Sequence, residues 1–321
     1  FQTFKADALV AKSAPKAEYQ KKLTDAGESQ YDMIKRLELS EQDHKTLVEH
    51  CRARGIQFLS SPFDAGSASF LSAELRLPLL KIASGELTNA PLLLAIAQAG
   101  TPIILSTGMS TLADIEEALG VLAFGYASPD GQPGPAAFRE CYLSRAGRQA
   151  LAGKVSLLHC TTEYPAPYDE VNLKAIDTMR QTFGLPVGLS DHTAGIAVPI
   201  AAVARGAAII EKHFTLDRGL PGPDHKASLE PGELKAMVAA IRQVEAALGT
   251  GTKVPSAAEL KNRAVARKSL VAACDIKAGE PFTAENLTVK RPGTGIAPLH
   301  YWEWLGKPAD RDYKADERVG N

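Results

Sequence analysis

Two histidines, His192 and His213, stand where short apolar runs of the sequence end. If the runs are consecutive parallel strands, the two side chains lie close together, since neighbouring strands are about 4.8 Å apart. Paired imidazoles with open remaining coordination positions suit a Lewis-acid metal that also binds a substrate oxygen. The alternative is structural, with two polar residues hydrogen-bonded at the end of a sheet. The pair alone does not decide between these interpretations.

A lysine and four serines follow the same pattern at other runs. Lys81 lies within an apolar run, where a lysine is rarely left without an anionic partner. A lysine ringed by hydroxyl donors indicates a phosphate or carboxylate site. Lys81 also fits a Schiff-base lysine, but that chemistry needs a dry apolar pocket, and the hydroxyls and nearby histidines favour anion binding. The serines are Ser61, Ser84, Ser106 and Ser190.

Two carboxylates are candidates for binding a substrate hydroxyl. Asp224 lies in the segment Gly-Leu-Pro-Gly-Pro-Asp-His, whose prolines and glycines favour a rigid loop. Glu86 follows Lys81 by five residues. For either carboxylate alone, a solvated loop charge is the alternative interpretation.

Seven short apolar runs alternate with helical patterns, as expected for parallel strands buried on both faces. Asn89 and either Ser110 or Thr111 are predicted helix caps, and Pro231 is a predicted helix start. An open sheet would gather its polar residues near one switch point, whereas here they follow every run. The pattern predicts an α/β fold, a (β/α)8 TIM barrel lacking its first βα unit upstream of Phe1. The runs are 1–3, 56–59, 79–83, 102–105, 155–160, 187–189 and 208–211.

Changes in pattern along the chain predict two domains. The barrel covers 1–250, a polar linker 251–263, and a small domain of strands and turns 264–321. Within the barrel, 124–153 includes the stretch Ser-Pro-Asp-Gly-Gln-Pro-Gly-Pro and is predicted to be a turn-rich insertion.

Composition excludes several classes of function. Lys and Arg number 36 against 37 Asp and Glu, so no global field attracts nucleic acid or a membrane surface. The most apolar stretch, 194–210, is too short to span a bilayer. The four cysteines form no Cys-x-x-Cys pair, and a chain of this length needs no disulfides. We therefore expect a cytoplasmic protein with reduced thiols.

Taken in order, the motifs resemble those of the bacterial N-acetylneuraminate (sialic acid) synthases over essentially the whole chain. Each motif is weak alone, but so many in the right order are specific. They are Phe-Gln-Thr-Phe-Lys-Ala-Asp at 1–7, Ser-Ser-Pro-Phe-Asp at 60–64, Lys-Ile-Ala-Ser-Gly-Glu at 81–86, Leu-Ser-Thr-Gly-Met at 105–109, His-Cys-Thr-Thr-Glu-Tyr-Pro-Ala-Pro at 159–167, Gly-Leu-Ser-Asp-His at 188–192, Glu-Lys-His-Phe-Thr at 211–215, Gly-Pro-Asp-His at 222–225 and Lys-Arg-Pro-Gly-Thr-Gly-Ile at 290–296.

This resemblance implies a barrel followed by a small β-rich antifreeze-like (SAF) domain, in a domain-swapped homodimer. It implies a divalent metal, Mn²⁺ or Mg²⁺, on His192 and His213, which together with Asp224 are the catalytic residues. The phosphoenolpyruvate-binding residues it implies are Lys81, Ser61, Ser84, Ser106 and Ser190. The sugar-binding residues are Gln2, Glu86, Thr162, Tyr164 and Asp224, with Arg291 reaching the N-acyl group from the small domain of a second subunit.

The implied reaction joins phosphoenolpyruvate, water and the open-chain aldehyde of N-acetylmannosamine, an N-acyl amino sugar, to give N-acetylneuraminate and phosphate. Legionaminate and pseudaminate synthases share the scaffold and act on a 2,4-diacetamido-trideoxy-hexose. Thr162-Glu163-Tyr164 and the stretch through Tyr19 favour the neuraminate type. A Schiff-base lyase and a non-catalytic sugar-binding relative are more distant alternatives.

A segment that precedes Phe1 in the resembled family supplies part of the site. The family's first strand carries a glutamate beside an Asn-His pair, and its second strand carries a phosphate-binding lysine just before the position of Phe1. None of these lies in the 321 residues. We therefore expect the 321-residue chain by itself to bind metal and substrate poorly and to be inactive, and a chain extended by this segment to be active. Phosphate release from phosphoenolpyruvate measures both, and equal turnover would refute the expectation.

Overall fold

The computed structural model describes residues 1–17, 20–21, 24–25 and 27–320. The chain divides into two compact units, Phe1–Leu248 and Gly249–Asn321. Each unit encloses a hydrophobic core of its own. Tyr19, part of the stretch that favours the neuraminate type, lies outside the described residues.

Parallel strands form the centre of the first unit. They pair in consecutive registers, for example Leu80 with Ile103 and Leu157 with Val187. These four residues are buried, because a parallel strand covered by helices has no solvent face. The predicted α/β class with parallel strands is confirmed. The described strands are β1 (Gln2–Thr3), β2 (Ser61–Pro62), β3 (Leu80–Ile82), β4 (Ile103–Ser106), β5 (Val155–Cys160), β6 (Val187–Asp191) and β7 (Ile210–Lys212), hydrogen-bonded in the orders β1-β2 and β3-β4-β5-β6-β7.

The five-stranded sheet is strongly curved. Its outermost strands, β3 and β7, are four spacings apart in the sheet order, which would be about 19 Å in a flat sheet. The Lys81 ammonium on β3 nevertheless lies 3.4 Å from the Glu211 carboxylate on β7. The sheet must therefore roll until its outermost strands face each other. This is the curvature of a barrel wall.

Helices follow the strands and begin at the predicted caps. Asn89 accepts from the Leu92 N–H at the start of one helix, and Thr111 forms a capping box with Asp114 at the start of the next. No helix in the described ranges is long and apolar enough to cross a membrane. The helices are α1 (Ala6–Leu9), α2 (Gln30–Lys35), α3 (Glu41–Ala53), α4 (Ala65–Ser69), α5 (Ala90–Gln98), α6 (Leu112–Ala127), α7 (Pro135–Leu143), α8 (Arg145–Lys154), α9 (Ala175–Phe183), α10 (Ala197–Ala204) and α11 (Pro231–Leu248), the last beginning at Pro231 as predicted.

The prediction of a turn-rich insertion at 124–153 is wrong. α6 continues to Ala127, and α7 and α8 then occupy most of the segment. Its turn residues are confined to the connection before α7, where Pro135 fits the first helical position because that position needs no N–H donor. Ser144 accepts from the Gly147 N–H and starts α8. The prolines of this segment therefore precede or begin a helix, whereas Gly125, Gly147 and Gly153 lie within helices.

The strand predicted at 56–59 is displaced. The Ile56 N–H donates to the Cys51 carbonyl where α3 ends, and the Ile56 side chain is 62% exposed. The strand that pairs with β1 is β2, in register Gln2 with Ser61. The apolar run therefore belongs to the end of a helix and a connecting loop.

The second unit is built on an antiparallel pair of strands, β8 (Ser269–Ala272) and β9 (Leu287–Lys290). Leu270, Phe282 and Tyr313 lie in its core with at most 1% exposure. A short helix, α13 (Tyr301–Trp304), follows the strands in sequence. The predicted character of a small domain of strands and turns is confirmed.

The interval predicted as a linker, 251–263, is not irregular throughout. A helix, α12 (Ala257–Ala266), fills its second half and begins in a capping box formed by Ser256 and Glu259. Ser at the cap with Glu three residues later satisfies two backbone N–H groups reciprocally, so a polar sequence forms a helix without burying an apolar face.

Close packing of α5 against α6 depends on Gly125. A Cβ at this position would lie 2.5 Å from the Ala97 Cβ and 3.3 Å from the Gln98 nitrogen. We expect Gly125→Ala to lower the free energy of unfolding by about 1–3 kcal/mol through overpacking. The matched control is Gly153→Ala in α8, where a Cβ meets nothing within 4 Å and stability should be unchanged or raised. Denaturant unfolding measures both, and equal stability of the two variants would contradict the prediction.

Candidate active site

Strands β6 and β7 present alternate residues to opposite faces. Ser190 lies opposite Glu211 and Asp191 opposite Lys212 in the register. Successive side chains of a strand point to opposite faces, so Ser190 and Glu211 share one face and Asp191 and Lys212 share the other. The residues that continue the first face are His192 and His213, one step beyond each strand. This face carries the site that the sequence predicts.

The two histidines are brought together. Their ring centroids are 5.3 Å apart, with an angle of 71° between the planes. The Tyr164 ring packs against both, with centroids 4.2 Å from His192 and 5.4 Å from His213. Asp224 lies beside the pair, with Oδ2 3.8 Å from His213 Nδ1. Four predicted site residues from three connecting segments therefore form one cluster.

Hydrogen bonds fix which nitrogen of His192 is free to accept. Its Nδ1 lies 2.7 Å from the Thr161 carbonyl, which only accepts, so Nδ1 carries the proton. In the neutral ring Nε2 then has a lone pair, and it faces the Ser190 Oγ at 3.4 Å. Ser190 in turn donates its proton to Glu211 at 2.7 Å. A lone pair of His192 Nε2 thus faces a lone pair of Ser190 Oγ, an arrangement that suits a cation.

The donor set fits a divalent metal ion with open positions. His192 and His213 offer imidazole nitrogens, and the backbone bond to His192 Nδ1 orients its ring as in other histidine–metal sites. Within the described ranges, no group of three or more His, Cys, Asp or Glu side chains is arranged to hold a metal. An ion on the two imidazoles would therefore take its other ligands from water or substrate.

Lys81 is buried, 7% exposed, and pairs with Glu211. The sequence predicts an anionic ligand for this lysine, and the structure adds a carboxylate of β7 as an ion-pair partner. Sequence reasoning missed Glu211, although it lies in a quoted motif. The signal was the two-residue alternation of Glu211 with His213, which places both on one face of a strand.

The hydroxyl side chains of Ser84, Ser106 and Thr162 lie at the carboxyl ends of β3, β4 and β5. Ser84 Oγ accepts from the Gly108 N–H at 2.9 Å. Ser106 Oγ and Thr162 Oγ1 are buried without a hydrogen-bond partner in the described part of the chain. A Cβ at Gly108 would lie 2.3 Å from Thr162 Oγ1 and 2.9 Å from Ser84 Oγ. Gly108, which sequence reasoning also missed, is thus needed for close approach, and the two free hydroxyls are available to a ligand.

Other predicted residues lie apart from this cluster. Glu86 accepts from the Asn89 side chain at 2.7 Å and thereby braces the start of α5. Gln2 is exposed on β1, with Ser61 opposite it on β2. Arg291 belongs to the second unit, where its Nε donates to the Ala266 carbonyl at 3.0 Å. Among the described residues of the first unit, Glu86, Gln2 and Ser61 make no hydrogen bond or ion pair with the histidine pair.

A thiol lies behind His192. Cys160 Sγ is 3.8 Å from His192 Nδ1. Burial would raise the pKa of this thiol, but its contacts with His192 and Ser84 outweigh burial and lower the pKa. The scattered spacing of the cysteines gave no sign of this position.

The sequence profile of the NeuB family matches residues 1–253, and that of the SAF domain matches residues 267–319. The chain belongs to the NeuB family. The antifreeze-like SAF domain expected from the resemblance is confirmed at the C-terminal end of this NeuB-family chain.

Relatives of this NeuB-family chain are synthases of legionaminic or sialic acids. It is 50% identical over 319 residues to N,N'-diacetyllegionaminic acid synthase of Campylobacter jejuni, over 99% of this chain and 88% of that enzyme. It is 46% identical to N,N'-diacetyllegionaminic acid synthase of Legionella pneumophila, over 93% and 78% of the two chains. The crystal structure of N-acetylneuraminic acid (sialic acid) synthetase from Leptospira borgpetersenii superposes with a TM-score of 0.63 at 30% identity, over 82% and 78%.

An ion pair on the opposite face of β6 and β7 supports the histidines. Lys212 Nζ lies 2.6 Å from Asp191 Oδ2, and the two side chains are 3% and 1% exposed. Asp191 also accepts from the Thr193 N–H at 3.0 Å. The pair joins the residues that directly precede His192 and His213, so it holds the two strand ends in register.

We expect Lys212→Met to lower the free energy of unfolding by about 3–5 kcal/mol, because it leaves the Asp191 carboxylate buried without a cation. The control is Arg242→Met, which removes an exposed pair with Glu245 in α11 and should change stability by less than about 1 kcal/mol. Chemical denaturation followed by circular dichroism measures both variants. A cost for Lys212→Met as small as that of the control would show that the buried pair does not hold the strands.

Proposed function

We propose that this NeuB-family chain condenses phosphoenolpyruvate with the open-chain aldehyde of a 2,4-diacetamido-trideoxy-hexose, giving N,N'-diacetyllegionaminic acid and phosphate. The observation that carries the proposal is the adjacency of an imidazole pair and a buried lysine on one face of a rolled sheet. An electrophile and an anion can therefore meet there. The sugar is argued from the two relatives at 50% and 46% identity, both named for legionaminic acid.

These relatives favour legionaminate over the neuraminate interpretation that the sequence motifs favoured. The solved neuraminic acid synthetase is 30% identical, well below either legionaminic relative. N-acetylmannosamine therefore becomes the second candidate sugar.

In the proposed reaction, C3 of phosphoenolpyruvate attacks the aldehyde carbon and forms the new C–C bond. The electron pair of the former C=O bond goes to the aldehyde oxygen, which gains a proton. Water adds to C2 and releases its two protons, one to the oxygen of the former aldehyde and one to the phosphate, which leaves by cleavage of its bond to C2, so that a keto acid remains. A divalent ion, Mn²⁺ or Mg²⁺, on His192 and His213 would supply Lewis-acid polarisation of the aldehyde oxygen.

The chain's own residues then have separate tasks. Lys81 supplies the positive charge for an anionic group of phosphoenolpyruvate, since its buried ammonium needs an anion. The free Ser106 and Thr162 hydroxyls donate to the same ligand. Asp224, half-buried beside His213, accepts a sugar hydroxyl, and the Tyr164 ring covers the imidazoles and excludes water from them.

We also propose, from the family resemblance, that the protein acts as a domain-swapped homodimer in the cytoplasm, in which Arg291 of a second subunit approaches the N-acyl group. The support from this chain is that Arg291 is exposed and carries its charge in the SAF domain.

The decisive assay is phosphate release from phosphoenolpyruvate by protein expressed from its complete gene, with a panel of N-acyl amino sugars. We expect turnover with a 2,4-diacetamido-trideoxy-hexose to exceed that with N-acetylmannosamine by about tenfold or more, because a site built to bind a second amide rejects a sugar that lacks it. EDTA should abolish turnover and Mn²⁺ restore it. Faster turnover with N-acetylmannosamine would reject the sugar assignment, and trapping of Lys81 by borohydride with pyruvate would reject the mechanism.

A further inference from the structure

Glu211 connects Lys81, which the proposed function assigns to phosphoenolpyruvate, with the neutral hydroxyl of Ser190. Its Oε1 accepts the Ser190 hydroxyl proton at 2.7 Å and lies 3.4 Å from Lys81 Nζ. Both contacts use the same oxygen. The carboxylate therefore occupies a position from which an anionic ligand would also contact Lys81.

Burial explains why Lys81 needs this carboxylate before substrate arrives. The Lys81 side chain is 9% exposed, and Glu211 is the one carboxylate within ion-pair distance of it among the described residues. An ammonium buried without an anion carries a large desolvation penalty. The contact with Glu211 offsets that penalty.

We propose that Glu211 is an internal counter-anion for Lys81, and that phosphoenolpyruvate binds by replacing the Lys81–Glu211 contact with a contact between Lys81 and its own anionic oxygen. The inference rests on the proposed function for the identity of the ligand. It adds a positioning residue whose contact with Lys81 must break in each catalytic cycle.

The hydrogen bond from Ser190 determines what happens to the displaced carboxylate. Glu211 has two partners, the Ser190 hydroxyl and the Lys81 ammonium. An incoming anion competes with Glu211 for the charged ammonium more strongly than for the neutral hydroxyl. Glu211 therefore stays tethered next to the ligand, where its negative charge opposes the ligand's charge. The same repulsion favours departure of phosphate and of the acidic product, after which Glu211 returns to Lys81.

Glu211→Gln tests this inference in binding, without turnover. The amide keeps the size of the side chain and can still accept from Ser190, but it removes the charge. We expect isothermal titration calorimetry to show phosphoenolpyruvate and inorganic phosphate binding about fivefold to tenfold more tightly than to the wild type, an attenuated Coulomb effect at a partly exposed site. The control, Glu170→Gln, removes an exposed carboxylate in the loop after β5 and should leave both affinities unchanged. Unchanged or weaker binding by Glu211→Gln, or equal tightening by the control, overturns the inference.

A second measurement uses the wild-type protein and does not depend on the variant's folding. In a crystal structure with phosphoenolpyruvate, Lys81 should contact a ligand oxygen while Glu211 keeps Ser190 and no longer pairs with Lys81. An intact Lys81–Glu211 pair with ligand bound would overturn the proposal.

The two hypotheses fail separately. If the variant binds inorganic phosphate more tightly but no sugar in the panel supports turnover, the proposed function is wrong and the counter-anion remains. If sugar acid is formed but Glu211→Gln leaves the affinities for phosphoenolpyruvate and inorganic phosphate unchanged, the proposed function remains and the counter-anion proposal is wrong. Failure of both anions to bind the wild type would reject both.

Discussion

The buried ion pair between Asp191 and Lys212 is the interaction on which the site depends. A slip of β7 by one residue against β6 would turn Glu211 and His213 away from the interior and from Ser190 and His192, because strand residues alternate between faces. The pair makes such a slip costly, since it would leave two charges buried apart. Placing the ion pair on the outer face leaves the inner face free for groups that bind ligands. Structural charge and functional groups are thereby separated by the thickness of one strand.

Curvature of the sheet brings together residues of strands that are not neighbours, which the register of adjacent strands alone does not do. Lys81 and Glu211 lie on the first and last strands of a five-stranded sheet and still form an ion pair. Among the described residues, the groups that gather there include the Lys81 ammonium, the partly exposed carboxylates of Glu211 and Asp224, two imidazoles and several neutral hydroxyls. A region of low dielectric tolerates this set because each charge has a partner. The same balance means that an entering anion must change the partners of Lys81.

The groups around the interior divide the proposed reaction in space. Lys81 and the hydroxyls of Ser106 and Thr162 concern the anion, which is common to every reaction of this class. The histidine pair concerns the carbonyl group. Tyr164 and Asp224 lie on the loops after β5 and β7, and loops accept substitutions more readily than buried strands. Choice of sugar is thus separable from the chemistry, which agrees with relatives of one fold being named for different acids.

Much of this protein followed from its sequence. Apolar runs with polar ends predicted parallel strands and the edge at which the site forms, and Asn89 and Thr111 capped helices as predicted, because these features depend on neighbours within a few residues. The prediction of a turn-rich insertion at 124–153 was wrong because a proline or a glycine does not by itself mark a loop. The placement of His192 beside His213 followed from two consecutive strands.

The sequence did not predict which residues of distant strands and loops contact each other. The contact of Glu211 with Lys81 depends on how far the sheet rolls, and the close approach of Gly108 to Ser84 and Thr162 depends on how the loops fold back. Sequence determined which residues reach the mouth of the sheet. Tertiary structure alone decided which residues of non-adjacent strands are neighbours, because curvature, unlike alternation along a strand, is a property of all the strands together.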